Sequence, residues 1–113
     1  MREIEFRGIS LITNDFVYGS LVMYNPIPEI TDCTIGENNY EYHSEEIDPK
    51  TIGQFIGIKD RNGKKIYEGD ILDNDWTVSF KDGMFGIFDK NHHMGFNSYM
   101  AQYREVVKNI HQL

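Results

Sequence analysis

The segment from Gln54 to Leu72, Gln-Phe-Ile-Gly-Ile-Lys-Asp-Arg-Asn-Gly-Lys-Lys-Ile-Tyr-Glu-Gly-Asp-Ile-Leu, constrains the fold more than any other part of this chain. It reads as a β-hairpin followed by a sharp turn into a third strand. Asp60 stands first and Gly63 fourth in Asp60-Arg61-Asn62-Gly63, the preference of a type I turn. The Asp60 carboxylate can accept hydrogen bonds from amides inside that turn. Gly63 supplies the left-handed residue that a short hairpin loop needs at its bulge. This register sets Lys59 opposite Lys65, Ile58 opposite Ile66 and Gly57 opposite Tyr67, with the tyrosine ring covering backbone that Gly57 leaves bare. Two lysines face to face repel, so their side of the hairpin is solvated. Glu68-Gly69-Asp70 breaks the strand and Ile71-Leu72 resumes it.

The rest of the chain offers shorter signals. Ile4 and Phe6 alternate with Glu3, Glu5 and Arg7, which predicts a first strand with one buried face. Gly8 to Asp15 reads as a turn. Phe16 to Tyr24 is a longer strand with apolar residues on both faces, and Gly19 marks a bend or bulge in it. Pro26 and Pro28 end that strand. Ile30 to Ile35 and Tyr40 to His43 can pair across Gly36-Glu37-Asn38-Asn39, leaving Ser44-Glu45-Glu46 exposed. Asp48-Pro49 predicts a single helical turn, with Asp48 as its cap. Asp73-Asn74-Asp75 is turn-like. Trp76 to Phe80 and Met84 to Asp89 predict a second hairpin across Lys81-Asp82-Gly83. Residues 90–97 read as a loop, Ser98 to Arg104 as a short helix capped by Ser98, and Glu105 to Ile110 as the last strand.

Short strands at regular spacing predict an all-β domain: a small, strongly twisted, barrel-like set of strands with at most one or two helical turns. The length, 113 residues, suits one domain over 1–113. Ten glycines scattered singly act as turn punctuation, and seven Phe with seven Tyr favour strands over helices.

Gln54-Phe55-Ile56-Gly57-Ile58-Lys59-Asp60, Asn62-Gly63-Lys64 and Ile66-Tyr67-Glu68-Gly69-Asp70-Ile71 together resemble the signature of the YopX family, small proteins encoded by bacteriophages and prophages. The opening Met1 to Gly8, the stretch Phe16 to Leu21 and the closing Glu105 to Ile110 resemble it too. The family's closing segment usually continues into Gly-Asn-Ile-Tyr, whereas Lys108 stands here at the glycine. The resemblance implies a mostly β domain in the cytoplasm of an infected or lysogenic bacterium. Gln54, Gly57, Asp60, Asn62, Gly63, Tyr67, Gly69 and Asp70 are then signature positions with a structural role. No catalytic residue or cofactor comes with the resemblance.

Charge narrows the function classes. The net charge is −7, and an acidic domain does not attract phosphate backbones from a distance. The basic residues Lys59, Arg61, Lys64 and Lys65 cluster at the predicted hairpin tip, where Asp60 dilutes them. They are the contact in a second reading, a small nucleic-acid-binding barrel. A single cysteine, Cys33, allows no internal disulfide and reads as a small strand residue. Neither a signal-peptide pattern nor an apolar run of the ~20 residues needed for a membrane span occurs in the sequence.

Chemistry has few places to reside. Glu68, Asp70, Asp73 and Asp75 offer oxygen ligands to a hard cation, but their spacing does not follow a calcium loop and suits ordinary turns. His92-His93, with His43 and His111 elsewhere, lacks the ligand spacing of a zinc site. No metal, cofactor or enzymatic role is therefore expected. Tyr18, Tyr24, Tyr40, Tyr42, Phe55, Tyr67, Trp76, Phe85 and Phe88 exceed what one small core encloses. Spare aromatics on an acidic protein suit a protein-binding face. The leading expectation is a non-enzymatic module that binds its own copies, as a homo-oligomer, or a host protein. A variant of the nucleic-acid reading, third after these two, keeps the acidity and drops the binding: the protein mimics DNA and occupies a host protein's basic groove.

Overall fold

The long Gln54–Leu72 segment folds as a hairpin and a further strand, and the remaining strands follow the alternation of apolar residues and turn formers. The computed structural model describes residues 3–23, 26–35, 40–89 and 92–112. Its strands are β1 (Phe6–Ile9), β2 (Phe16–Val22), β3 (Glu29–Ile35), β4 (Tyr40–Glu46), β5 (Gly53–Lys59), β6 (Lys65–Tyr67), β7 (Asp70–Leu72), β8 (Thr77–Lys81), β9 (Met84–Asp89), β10 (His92–Gly95) and β11 (Val106–Asn109). Among the described residues, helical structure is confined to a 3-10 turn at Pro49–Thr51 and the four-residue helix α1 (Ser98–Ala101). The chain is mainly β, as its composition predicts.

The chain divides into two compact units, Glu3–Gln54 and Phe55–Leu113. In the first, the antiparallel order is β4-β3-β2-β1, and the start of β5 adds to β1 through Phe6 opposite Gln54 and Arg7 opposite Gly53. Gly19 allows β2 to lie close against β3, because a Cβ there would overlap the Thr31 carbonyl oxygen. The polar ties are local. Thr51 Oγ1 accepts from the Ile9 amide (2.8 Å) and donates to the Asp48 carbonyl (2.6 Å). Asp48 caps the 3-10 turn by accepting from the Lys50 amide, as its place before proline predicts.

In the second unit, β5 pairs with β6, and the order of the other sheet is β10-β9-β8-β7-β11. Ile56, Ile66, Leu72, Val78, Ile87, Phe96 and Ala101 form the buried core, with Ile58, Trp76, Phe85, Met100 and Val106 packed against it. Alternation selects this set: Val78 and Ile87 are directly paired and face inward, while their neighbours Ser79 and Gly86 pair on the other face.

The structure corrects several sequence expectations. The sheets are open and do not close into a barrel. Regular strand spacing is common to barrels and open sheets, and only the pairing of end strands separates them. The first strand starts at Phe6, leaving Ile4 66% exposed. Ser44, Glu45 and Glu46 continue β4 through pairing with Thr31, Ile30 and Glu29. Tyr67 pairs with Phe55 instead of Gly57, although Lys59 does face Lys65. Extra residues on β5 bulge at Gly57, whose φ of 90° is glycine's own region. Residues 92–95, expected in a loop, form β10 against β9. The helix cap is Asn97, one residue before Ser98; its side chain accepts from the Met100 amide (3.0 Å). Tyr24 and the 36–39 connection lie outside the described residues, as do the side chains of Cys33, Tyr40 and Tyr42.

Candidate functional site

The tip of the β5–β6 hairpin, with the strand ends on either side, holds the basic cluster, and Asp60 organises it. Asp60 is 6% exposed. Its Oδ1 accepts from the amides of Asn62 (2.8 Å) and Lys64 (2.9 Å), and its Oδ2 accepts from the amide of Val106 (2.9 Å). The Gly63 amide closes the turn on the Asp60 carbonyl (3.0 Å), and Gly63 has the left-handed φ of 80° expected from the sequence. Burial pushes the Asp60 carboxyl up. The amides of Val106, Lys64 and Asn62, with the Lys64 charge, outweigh burial and hold it below its ordinary 3.8.

The tip is also tied to the segment that precedes β11. The Arg61 amide donates to the Arg104 carbonyl (2.9 Å). The Arg61 guanidinium lies 2.7 Å from Glu105 Oε2 and 3.8 Å from Asp73 Oδ2, and Asn62 Nδ2 donates to the same Glu105 oxygen (3.2 Å). Hydrogen bonding from Arg61, then from Asn62, holds the Glu105 carboxyl below its ordinary value. Arg61 is therefore committed to acidic neighbours. Lys59 and Lys64 are exposed, and the Lys65 ammonium sits 5.3 Å from the Phe55 ring centroid. The basic cluster seen in sequence thus becomes a tip in which acidic groups offset much of the positive charge.

Of the remaining signature positions, Gly69 also ties to the closing segment. Gly69, at φ 91°, donates its amide to the Val78 carbonyl and accepts from the Ile110 amide, each at 2.9 Å. Asp70 is 1% exposed, and its Oδ2 accepts from the Tyr67 amide (2.8 Å). The Tyr67 ring packs 5.7 Å from Phe55. Gln54 lies in the β1–β5 ladder. The middle and closing parts of the signature are distant in sequence but hydrogen-bonded to each other, through Asp60 to Val106 and Gly69 to Ile110.

The acidic run does not converge on one point. Asp70 closes a turn, Asp73 faces Arg61 and Arg104, and Asp75 takes a left-handed turn position with φ 65°. Among the described residues, no group of three or more His, Cys, Asp or Glu side chains could hold a metal ion. His92 and His93 are adjacent on β10 and point to opposite faces. Among the described residues, His93 Nε2 and Ser79 Oγ are each shielded without a hydrogen-bond partner, and no hydrogen bond joins them as a nucleophile and its base.

A second feature lies in the first unit. A groove of about 310 Å³ is lined by Val17, Tyr18, Ile30, His43 and Glu45. Pairing of Leu21 with Ile30 and of Ile30 with Glu45 brings three strands to this place. In the sequence Tyr18 stands out as a spare aromatic and His43 as an isolated imidazole, but their convergence does not. It follows from the β2–β3 and β3–β4 registers, which no local signal announces.

A comparison with curated proteins gives no match. Among solved structures, the crystal structure of protein EF1440 from Enterococcus faecalis is similar, with a TM-score of 0.66 and 19% sequence identity, over 98% of this chain and 95% of that one. At that identity the likeness concerns the fold alone. The sequence signature, whose middle and closing parts are hydrogen-bonded to each other, falls in a match to the YopX protein family model over residues 5–112, and the chain belongs to that family.

Proposed function

We propose that this chain is a non-enzymatic protein-binding module of phage or prophage origin, acting in the cytoplasm of a bacterial host on its own copies or on a host protein. The observation that carries the reading is apolar surface on the second unit. Phe80 is 54% exposed and packs edge-on against Phe85 with ring centroids 4.9 Å apart. Met94, 43% exposed, pairs with Ile87 of the core, so it widens the same apolar face. Tyr99 and Tyr103 form a further exposed ring pair 5.6 Å apart. Aromatic residues and methionine are enriched in interfaces, and a folded domain gains nothing by leaving them in water. Commitment of Arg61 to Glu105 and Asp73 supports protein over phosphate as the partner.

The test is a pull-down from host lysate, with and without nuclease, beside light scattering on the purified protein. A host protein retained after nuclease, or a defined oligomer, is expected; Phe80→Asp should abolish either. Retention that nuclease removes would replace this reading with nucleic-acid binding through Lys59 and Lys64.

A further inference from the structure

We infer that the groove of the first unit is a recognition site for one arginine side chain presented by the protein partner. This rests on the protein-binding reading and names the chemistry of one contact.

The groove has an apolar floor and a polar wall. Ile30 is 2% exposed and Val17 is half-buried. Tyr18 stands at the side, 46% exposed. His43 and Glu45 share the β4 side. A volume of about 310 Å³ is at the small end of ligand sites and suits one long side chain.

Glu45 determines what that side chain is. It is half-buried, and its Oε2 is shielded from solvent without a hydrogen-bond partner among the described residues. A shielded carboxylate oxygen without a donor is costly, and turning the carboxylate so that this oxygen meets a donor brought into the groove by a ligand removes that cost. An anionic ligand would worsen it. A guanidinium answers the whole site: its planar fork donates to a carboxylate, its face stacks on a tyrosine ring, and its methylene stem lies along apolar surface. Lysine brings the charge without the fork or the plane. The protein's net charge of −7 favours the approach of a cationic partner.

The frame that holds the groove is rigid in a specific way. Gly19 follows Tyr18 and lets β2 close onto β3, because a Cβ there would overlap the Thr31 carbonyl. Thr31 Oγ1 and Ser44 Oγ are 2.9 Å apart across β3 and β4, beside the Ile30–Glu45 pair.

The experiment titrates isotopically labelled full-length protein with the blocked amino acids N-acetyl-arginine, N-acetyl-lysine and N-acetyl-citrulline methylamides, read by amide and side-chain NMR shifts. Citrulline keeps arginine's shape and loses its charge. Shifts centred on Tyr18, His43 and Glu45 are expected with arginine, weaker with lysine and absent with citrulline. Glu45→Gln, checked as folded by its own spectrum, should weaken arginine binding about tenfold or more. Arginine and citrulline binding alike, or arginine shifts that persist in Glu45→Gln, would overturn the site. So would no shift at these residues at millimolar arginine. Partner capture that survives Glu45→Gln but is lost in Phe80→Asp removes the groove and leaves the protein-binding reading standing. Failure of the unmutated protein to capture any protein or self-associate removes that reading itself.

Discussion

The two units of this chain bury different kinds of side chain. In Glu3–Gln54 the buried set includes Arg7, Ser10 and Thr51 beside Ile30 and Ile47. Arg7 lies 4.2 Å from the Phe16 ring centroid, Ser10 Oγ accepts from the amides of Ile12 and Thr13, and Thr51 joins two backbone groups. In Phe55–Leu113 the buried set is dominated by Ile, Leu, Val and Phe around one core. Long strand ladders with polar ties leave a sheet face available for a groove. A dense apolar core instead turns its large side chains inward, and the apolar side chains at its margin, Phe80 and Met94 among them, reach water. The two units therefore offer different surfaces, a small groove with one polar wall and an apolar margin.

The largest effect that can break this comparison comes from the core. Leu72 is fully buried, and Leu72→Ala should cost about 2–5 kcal/mol in urea denaturation, the usual range for a cavity in a packed interior. Thr51→Val keeps the volume and removes Oγ1, leaving the Ile9 amide without its acceptor; about 1–3 kcal/mol is expected. If Thr51→Val cost more than Leu72→Ala, the contrast between polar ties and apolar core would be wrong.

Next in size is Asp60, which with Asp70 is a buried carboxylate inside the apolar unit. Asn at this position can keep the Asn62 and Lys64 bonds with its one carbonyl oxygen, but it turns an NH₂ toward the Val106 amide. Asp60→Asn should cost about 2 kcal/mol, because a charge-assisted bond is replaced by two opposed donors. The pH dependence has a definite sign. The folded carboxyl lies below 3.8, so its contribution is complete above the unfolded value and is lost as pH falls through the folded one. Denaturation below pH 4 should therefore show a stability loss in the native protein that is smaller in Asp60→Asn. Parallel curves would mean that Asp60 is not the group responsible.

How much was legible in the sequence follows the same division. The Asp48 cap, the Asn62 and Lys64 bonds of Asp60, and the left-handed turn positions of Gly63 and Gly69 were readable because each acts on backbone within a few residues, where residue type and spacing are the whole cause. Gly83 and Asp82, at φ 80° and 55°, mark the second hairpin for the same reason. The Tyr67–Phe55 pairing was not readable, since a bulge at Gly57 changes the partner without changing the hydrophobic pattern. Strand β10 was hidden because His92-His93-Met94-Gly95 lacks β-branched residues and is held by pairing with β9. The roles of Glu105 and Val106 at the tip, and the meeting of Tyr18, His43 and Glu45, depend on long-range placement that no local signal carries.

The smallest effect belongs to the pair that most changes the view of the tip. Arg61 and Glu105 are 2.7 Å apart but both solvent-accessible, so their attraction is screened and partly cancelled by the ordering of two long side chains. A double-mutant cycle with Arg61→Gln and Glu105→Gln should give a small favourable coupling at low salt that disappears near about 1 M salt, where the screening length is only ~3 Å. The coupling should also persist on mild acidification, because Arg61 and Asn62 hold the Glu105 carboxyl below its ordinary value. A coupling that survives high salt would make the pair a structural element comparable to Asp60. One absent at every salt concentration would release Arg61 from Glu105 and restore the tip as a cationic surface. The cycle therefore decides whether Arg61 at the hairpin tip is held by the fold or remains available to a partner.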